Sequence, residues 1–303
     1  MSILRKLRES RRLSLEGLAD KMHTSSEEIY GWEEDPRSIE KNTLSKLAYY
    51  YGLGSEELVD AIEDDSIRLT SSSYYLFGSE GYEDGWWGHF GVRLRGHKKS
   101  KWFPITLGVA RGISSDLMSV SARDDWVCIE TLNNRVLVFR PSTVNRVYLL
   151  DEAADQPGDD WEVPWDGYSG QPGEFYRALE EYYWEGVGLQ EGASVADVVK
   201  RDVEIFTDLH DLDLDQVRDL IIETKIYNTD GSSFSHDIDD LKLIEIIERV
   251  GFGLTQIVFD ISNDNFDLYI SAENVSLIDM PRRRVDMAFR EHGRADGGEF
   301  DEN

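Results

Sequence analysis

The chain has 303 residues, 40% of them hydrophobic, with 12 Phe, 14 Tyr and 8 Trp, which is enough apolar material for more than one core. It carries 60 acidic against 32 basic residues, a net charge of −28, and a single cysteine, Cys128, which excludes an internal disulfide. No apolar run approaches the length of a membrane span, and no apolar leader core follows the basic start MSILRKLRES, so a reducing cytoplasm is the expected compartment. So acidic a surface suits a salty cytoplasm, where hydrated carboxylates keep a protein soluble. It opposes contact with a polyanion unless cations are concentrated locally. Residues 1–62 hold 9 Lys or Arg and 12 Asp or Glu, a net of −3, which leaves −25 on residues 63–303. Within the first stretch Arg5, Lys6, Arg8, Arg11 and Arg12 cluster against Glu9 alone.

Residues 1–62 predict five short helices. Leu4, Leu7 and Leu13 form the first apolar stripe, and Ser14 caps a second helix through Met22. Thr24 or Ser25 caps a third, with Ile29 and Trp32 inward. Asn42 or Thr43 opens a fourth, carrying Leu44, Leu47 and Ala48, and Ser55 caps a fifth, with Leu58 and Ile62 inward. Residues 63–91 predict a linker and an irregular lead-in. Residues 92–173 predict a first β unit and an acidic loop: strands at 92–95, 126–132, 135–139 and 144–150, with a hairpin turn at Asn133-Asn134. Residues 174–290 predict helices at 175–184, 194–207 and 214–223, then a second β unit. Residues 291–303 read as a disordered tail.

The second unit repeats the first at an offset of about 131 residues. Residues 254–262, a turn at Asn263 to Asn265, residues 266–270 and residues 275–280 follow the alternation of residues 126–150, and residues 224–227 parallel residues 92–95. The expected fold class is α+β: an all-α five-helix domain followed by a larger region holding two related small β units. Their strand order loosely resembles an Sm-like barrel.

Leu4-Arg5-Lys6-Leu7-Arg8-Glu9, Leu13-Ser14, Leu18-Ala19, Ile29, Trp32-Glu33, Leu44-Ser45-Lys46-Leu47-Ala48, Leu53 and Glu57-Leu58 carry a family spacing. On these residues, positions 3–60 resemble the Cro and lambda-repressor-like (XRE) helix-turn-helix family. The resemblance implies that the third helix enters the DNA major groove. It makes Ser25 to Trp32 the groove helix, with Ser25 at the DNA, Ser26, Glu27, Tyr30 and Gly31 toward bases and Glu28 near the rim, and it puts Arg37 and Lys41 where the family often holds phosphate; Arg5 and Arg8 are further cations for phosphates. The chain departs from the family in offering glutamates and no cation on that helix, and in Leu15, where the family often has a glutamine on the DNA backbone. Glutamate can still accept a hydrogen bond from cytosine N4.

A second basic run, Arg93, Arg95, Lys98, Lys99 and Lys101 followed by Trp102, reads either as a nucleic-acid or partner site with aromatic stacking or as a hairpin whose cations pair with the protein's own carboxylates. Pro281-Arg282-Arg283-Arg284 poses the same choice. Asp208, His210, Asp211, Asp213 and Asp215 lack the glycine and terminal glutamate of an EF-hand and read as acidic capping of the next helix. Cys128 reads as core. No phosphate loop, dinucleotide fingerprint or nucleophile elbow is present, so neither an enzyme nor a cofactor is expected. The expected function is sequence-specific binding of double-stranded DNA in transcription regulation. The C-terminal region would form a homodimer, contact another protein or sense a small-molecule effector, with no membrane partner. The alternative is a protein-interaction adaptor whose acidic helix-turn-helix no longer binds DNA.

Overall fold

A computed structural model describes residues 2–10, 13–64, 86–119, 126–161, 170–185, 195–251, 258–263 and 265–292. The chain divides into two units, Met1–Trp86 with Ser169–Val217, and Trp87–Tyr168 with Arg218–Asn303.

The first unit is helical. Its chain runs through α1 (Ile3–Ser10), α2 (Leu15–Met22), α3 (Ser26–Glu34), a 3-10 turn (Pro36–Ser38), α4 (Lys41–Tyr51) and α5 (Ser55–Asp64). Leu4, Leu7, Leu18, Ile29, Leu47, Ala48, Leu53 and Leu58 close one core. The apolar positions recur at three- and four-residue spacing, so each helix turns one stripe inward. Two further helices, α7 (Gly173–Glu185) and α8 (Asp197–Leu209), belong to this unit, whereas the sequence grouped them with the second β unit. The tie is polar and buried. Glu174, fully buried on the first turn of α7, accepts hydrogen bonds from Ser45 Oγ (2.5 Å) and from the backbone N–H and Oγ of Ser55 (2.8 Å each). Its carboxylate thereby caps α5 from a remote helix and pairs with Arg177. Tyr49 OH donates to Asp202 on α8 (2.6 Å).

The second unit is α+β and repeats one plan. Strands β1 (Trp86–Leu94) and β2 (Lys101–Thr106) precede α6 (Leu107–Met118), the hairpin β3 (Val127–Glu130) and β4 (Arg135–Phe139), a 3-10 turn (Pro141–Thr143) and β5 (Val144–Asp151). After α9 (Leu214–Ile221) the same order returns: β6 (Thr224–Asn228), β7 (Ser233–His236), α10 (Asp240–Gly251), the hairpin β8 (Val258–Asp260) and β9 (Tyr269–Ser271), a 3-10 turn (Ala272–Asn274) and β10 (Val275–Pro281), closed by α11 (Arg282–His292). The sheet orders match, β2-β1-β5 and β7-β6-β10. So does a bulge: pairing with β1 skips Asn145, and pairing with β6 skips Ser276, about 131 residues on. One difference lies in the hairpin turns. Thr131 N–H donates to Arg135 O across three residues, whereas Asn263 bridges Phe266 across two.

The described strands lie in three open sheets rather than a closed barrel. The two copies join where β4 pairs antiparallel with β10, giving the five-stranded order β3-β4-β10-β6-β7. Both faces of that junction are buried. Leu137, Phe139 and Leu277 enter the core with Phe90, Val92 and Ile105, while Val136, Val138 and Ile278 enter the core with Leu243, Ile246 and Phe259. Inside the junction Arg135 pairs with Asp279 at 2.5 Å and donates to backbone carbonyls of Leu220 and Glu223. Helices α6, α10 and α11 and strands β2 and β7 went unpredicted. The sequence also took Cys128 as core; it is exposed on β3. Of the linker and irregular lead-in expected at 63–91, residues 63–64 end α5 and residues 86–91 belong to β1, and residues 65–85 lie outside the described residues, as do Arg11-Arg12 and the expected tail beyond His292, to which α11 extends.

Candidate nucleic-acid interface

Helices α2 and α3 are joined by a turn that three local contacts fix. His23 ends α2 in the left-handed region (φ 55°), its N–H bonded to carbonyls of Ala19 and Asp20. Lys46 Nζ, on α4, donates to Met22 O at 2.5 Å, and partial burial lowers its pKa. Ser25 and Glu28 then form a reciprocal capping box, with Glu28 N–H donating to Ser25 Oγ (3.2 Å) and Ser25 N–H to the Glu28 carboxylate (3.5 Å). Thr24 Oγ1 also donates to Glu28. Of the two glutamates on the first turn of α3, Glu28 is thus tied to the cap and Glu27 stands exposed.

Ile29 and Glu33 point inward from α3. Glu33 accepts from Arg8 Nε (2.6 Å) and Nη2 (3.2 Å), and Arg8 also donates to Leu13 O (2.8 Å). Arg8, assigned to phosphates by the sequence, is 8% exposed, so the assignment is corrected: its guanidinium staples α1 to α3. Trp32, expected fully inward, is half-buried at the margin of the core, because Glu33 takes the inward position beside it. The outer face of α3 is left with Ser26, Glu27 and Tyr30, the last 52% exposed. Beyond it, Arg37 on the 3-10 turn and Lys41 at the start of α4 are exposed, and no side chain caps the N-terminus of α4. Arg5 is exposed but engaged with Glu9 at 2.8 Å. Ser25 is exposed, with its oxygen committed to the cap.

Residues 4–58 match the family model for the helix-turn-helix. This is a helix-turn-helix domain. The match covers the segment on which the resemblance rested, and it supports DNA binding and a role in transcription regulation. No curated protein and no solved structure matches the chain.

The second basic run lies outside the helix-turn-helix domain and behaves differently from a stacking platform. Trp102 is 1% exposed, donates Nε1–H to Asp160 O (2.8 Å) and stacks on Tyr148 at 5.2 Å, which removes it from any base. A Cβ on Gly91 would come within 2.5 Å of the Trp102 ring, so the glycine makes room for the indole. Arg93 pairs with Asp160 (2.7 Å), Arg95 donates to Ser142 O (2.6 Å), and Lys101 sits 4.4 Å over the Tyr227 ring, where burial lowers its pKa. Lys98 and Lys99 remain exposed at the hairpin tip. Arg282 and Arg284 likewise engage the protein's own carboxylates, on Asp286, Asp237 and Asp240. Asp213 caps α9, accepting from Gln216 N–H at 2.8 Å and donating its own N–H to Gln216 Oε1 at 2.9 Å. Among the described residues no group of His, Cys, Asp and Glu could hold a metal, and no helix is long and apolar enough to cross a membrane.

Two contributors escaped the sequence reading. The Glu33 partner of Arg8 lies 25 residues away, and Glu174 caps the domain's last helix from 119 residues away. A charged residue at an inward heptad position of α3 was the available signal for the first, since a carboxylate there requires a cation.

Proposed function

We propose that the protein is a sequence-specific DNA-binding transcription regulator of the cytoplasm, whose activity is binding rather than catalysis and whose C-terminal region holds copies together. The observation that carries the proposal is the outer face of α3: Ser26, Glu27 and Tyr30 stand clear of the core while Ile29 and Glu33 anchor the helix from behind. Glu27 accepts from cytosine N4, Ser26 and Tyr30 contact neighbouring base edges, and Arg37, Lys41 and Arg5 reach phosphates, assisted by the uncapped amides of α4.

The opposing term is charge. At physiological ionic strength the Debye length is about 8 Å, and it falls to about 3 Å in molar salt, so acidic surface beyond the contact is screened. The same salt weakens each phosphate contact, and affinity then leans on shape and on multiple half-sites. The competing reading, a protein-contact module, rests on the acidity of α3, which carries Glu27, Glu28, Glu33 and Glu34 without a cation. Burial of Glu33 with Arg8 and use of Glu28 in the cap favour DNA.

Binding-site selection on the full chain decides between them. Arg37→Ala should weaken all sequences about equally, and Glu27→Gln should change the preferred base, because a pure acceptor becomes donor and acceptor. A parent protein that enriches no sequence replaces this proposal with the protein-contact module.

A further inference from the structure

The β repeat makes one contact inside the chain and leaves its counterpart open. In the first copy, the outer edge of β4 pairs with the outer edge of β10 from the second copy: Phe139 opposite Leu277, Val138 opposite Ile278, Leu137 opposite Asp279 and Val136 opposite Met280. The equivalents of those two strands are β9 and β5, matched through the shared bulge and the shared 3-10 turn before β10 and β5. Among the described residues, β9 pairs with β8 alone and β5 with β1 alone, so each presents one unpaired edge.

Burial follows the pairing. Every residue of β4 and β10 is buried, whereas β5 is partly buried or exposed along its length and Tyr269 and Phe266 are 60% and 51% exposed. The side chains tell the same story. Leu137 and Phe139 pack in their own unit's core, while Val136 and Val138 cross into the core of the other copy. The counterparts of Leu137 and Phe139, namely Leu268 and Ile270, pack in their own core as well. The counterpart of Val138 is Tyr269, which projects into solvent where a neighbouring core would be. The open edges also lack the usual protection: β5 carries Val147, Leu149 and Leu150 with Arg146 as its one cation, and neither strand contains a proline.

We infer that β9 of one molecule pairs antiparallel with β5 of a second copy, reproducing between chains the β4–β10 junction made within one. The register follows from the repeat: Arg146 opposite Ile270, Val147 opposite Tyr269, Tyr148 opposite Leu268, Leu149 opposite Asp267. Tyr269 then enters the first core of the next molecule as Val138 enters the second core of its own. The contact is head-to-tail, so it builds a ring of copies where the rotation closes. This rests on the proposed assembly through the C-terminal region and names the surface responsible.

The test uses the full chain, with mass measured by sedimentation. Wild type should be oligomeric, and Tyr269→Asp should be monomeric with an unchanged circular dichroism spectrum, since Tyr269 is exposed. In a Cys128→Ser background, Val147→Cys with Tyr269→Cys should cross-link between chains, whereas either single cysteine should not. A monomeric wild type overturns both this pairing and the assembly proposal. An oligomer that survives Tyr269→Asp and resists cross-linking overturns the pairing and leaves assembly to another surface. Cross-linking by Val147→Cys alone shows two β5 edges pairing symmetrically and overturns the head-to-tail contact.

Discussion

Removing the Arg8 side chain separates its structural role from a DNA role. Arg8→Met keeps the length and apolar stem of the side chain and deletes the guanidinium. It leaves the Glu33 carboxylate 5% exposed with both of its short hydrogen bonds gone, and Leu13 O without its donor. Breaking a buried ion pair from one side costs about 3–5 kcal/mol, because the remaining charge stays desolvated. Against a typical domain stability of about 5–15 kcal/mol this is a large fraction. With a urea slope of about 1–3 kcal/mol per molar, the midpoint for the helical unit should fall by at least about 1 M. Amide hydrogen exchange in residues 3–34 isolates that unit from the β repeat. Arg8→Met with Glu33→Leu should recover most of the loss, since an apolar replacement of the pair removes the stranded charge. A phosphate-contacting arginine would behave otherwise: stability would hold and the slope of log K against log salt would shrink by about one. Unchanged exchange protection in Arg8→Met together with a reduced salt slope would refute the staple.

Glu174→Gln removes the negative charge that holds Arg177 and that accepts from Ser55 and Ser45. It should lower exchange protection of α4 and α5, at a cost of about 3–5 kcal/mol, and equal protection in wild type and variant would dismiss the remote cap. Asp160 gives a pH signature. Burial alone would raise its pKa, but hydrogen bonds from Ser100 N–H and Oγ, from Tyr148 and from Arg93 outweigh this and hold the carboxyl below the ordinary aspartate value. A depressed folded-state pKa contributes stability above the unfolded value of about 3.9 that is lost as the pH falls through the folded value. Asp160→Asn should therefore be less stable than wild type at neutral pH by about 2 kcal/mol, with the gap closing below about pH 4, as urea melts followed by tryptophan fluorescence would record.

Local rules were readable wherever the chain obeyed them within one turn or one hairpin. Ser14 caps α2 as expected, Ser25 rather than Thr24 caps α3, and β4 occupies residues 135–139 as the alternation required. The repeat was visible because each copy conserves the same inward and outward alternation around its hairpin. Helix α6 was missed because short polar and small residues, such as Gly112 with Ser114 and Ser115, dilute the apolar stripe, whereas α10 carries Leu243, Ile246 and Val250 at helical spacing and was legible. The family resemblance assigned Ser26, Glu27 and Tyr30 to bases, and they lie on the outer face of α3, while the fate of Glu28 depended on whether its carboxylate folded back on Ser25.

What the sequence determined by itself was the set of segments: five helices with a family spacing, two β units, and a charge contrast between residues 1–62 and the rest. Those properties are periodic or compositional, so they survive without knowledge of what lies opposite. The tertiary structure alone decided which charges are spent internally. Arg8 and Arg37 look alike in a sequence, yet one meets Glu33 in the core and the other stands in solvent. It also decided that α7 and α8 support the helix-turn-helix domain and that β4 is paired on both edges, while among the described residues β9 is paired on one. Each of these turns on contacts between residues 25 to 153 positions apart, where desolvation and hydrogen-bond geometry rather than local propensity set the energy.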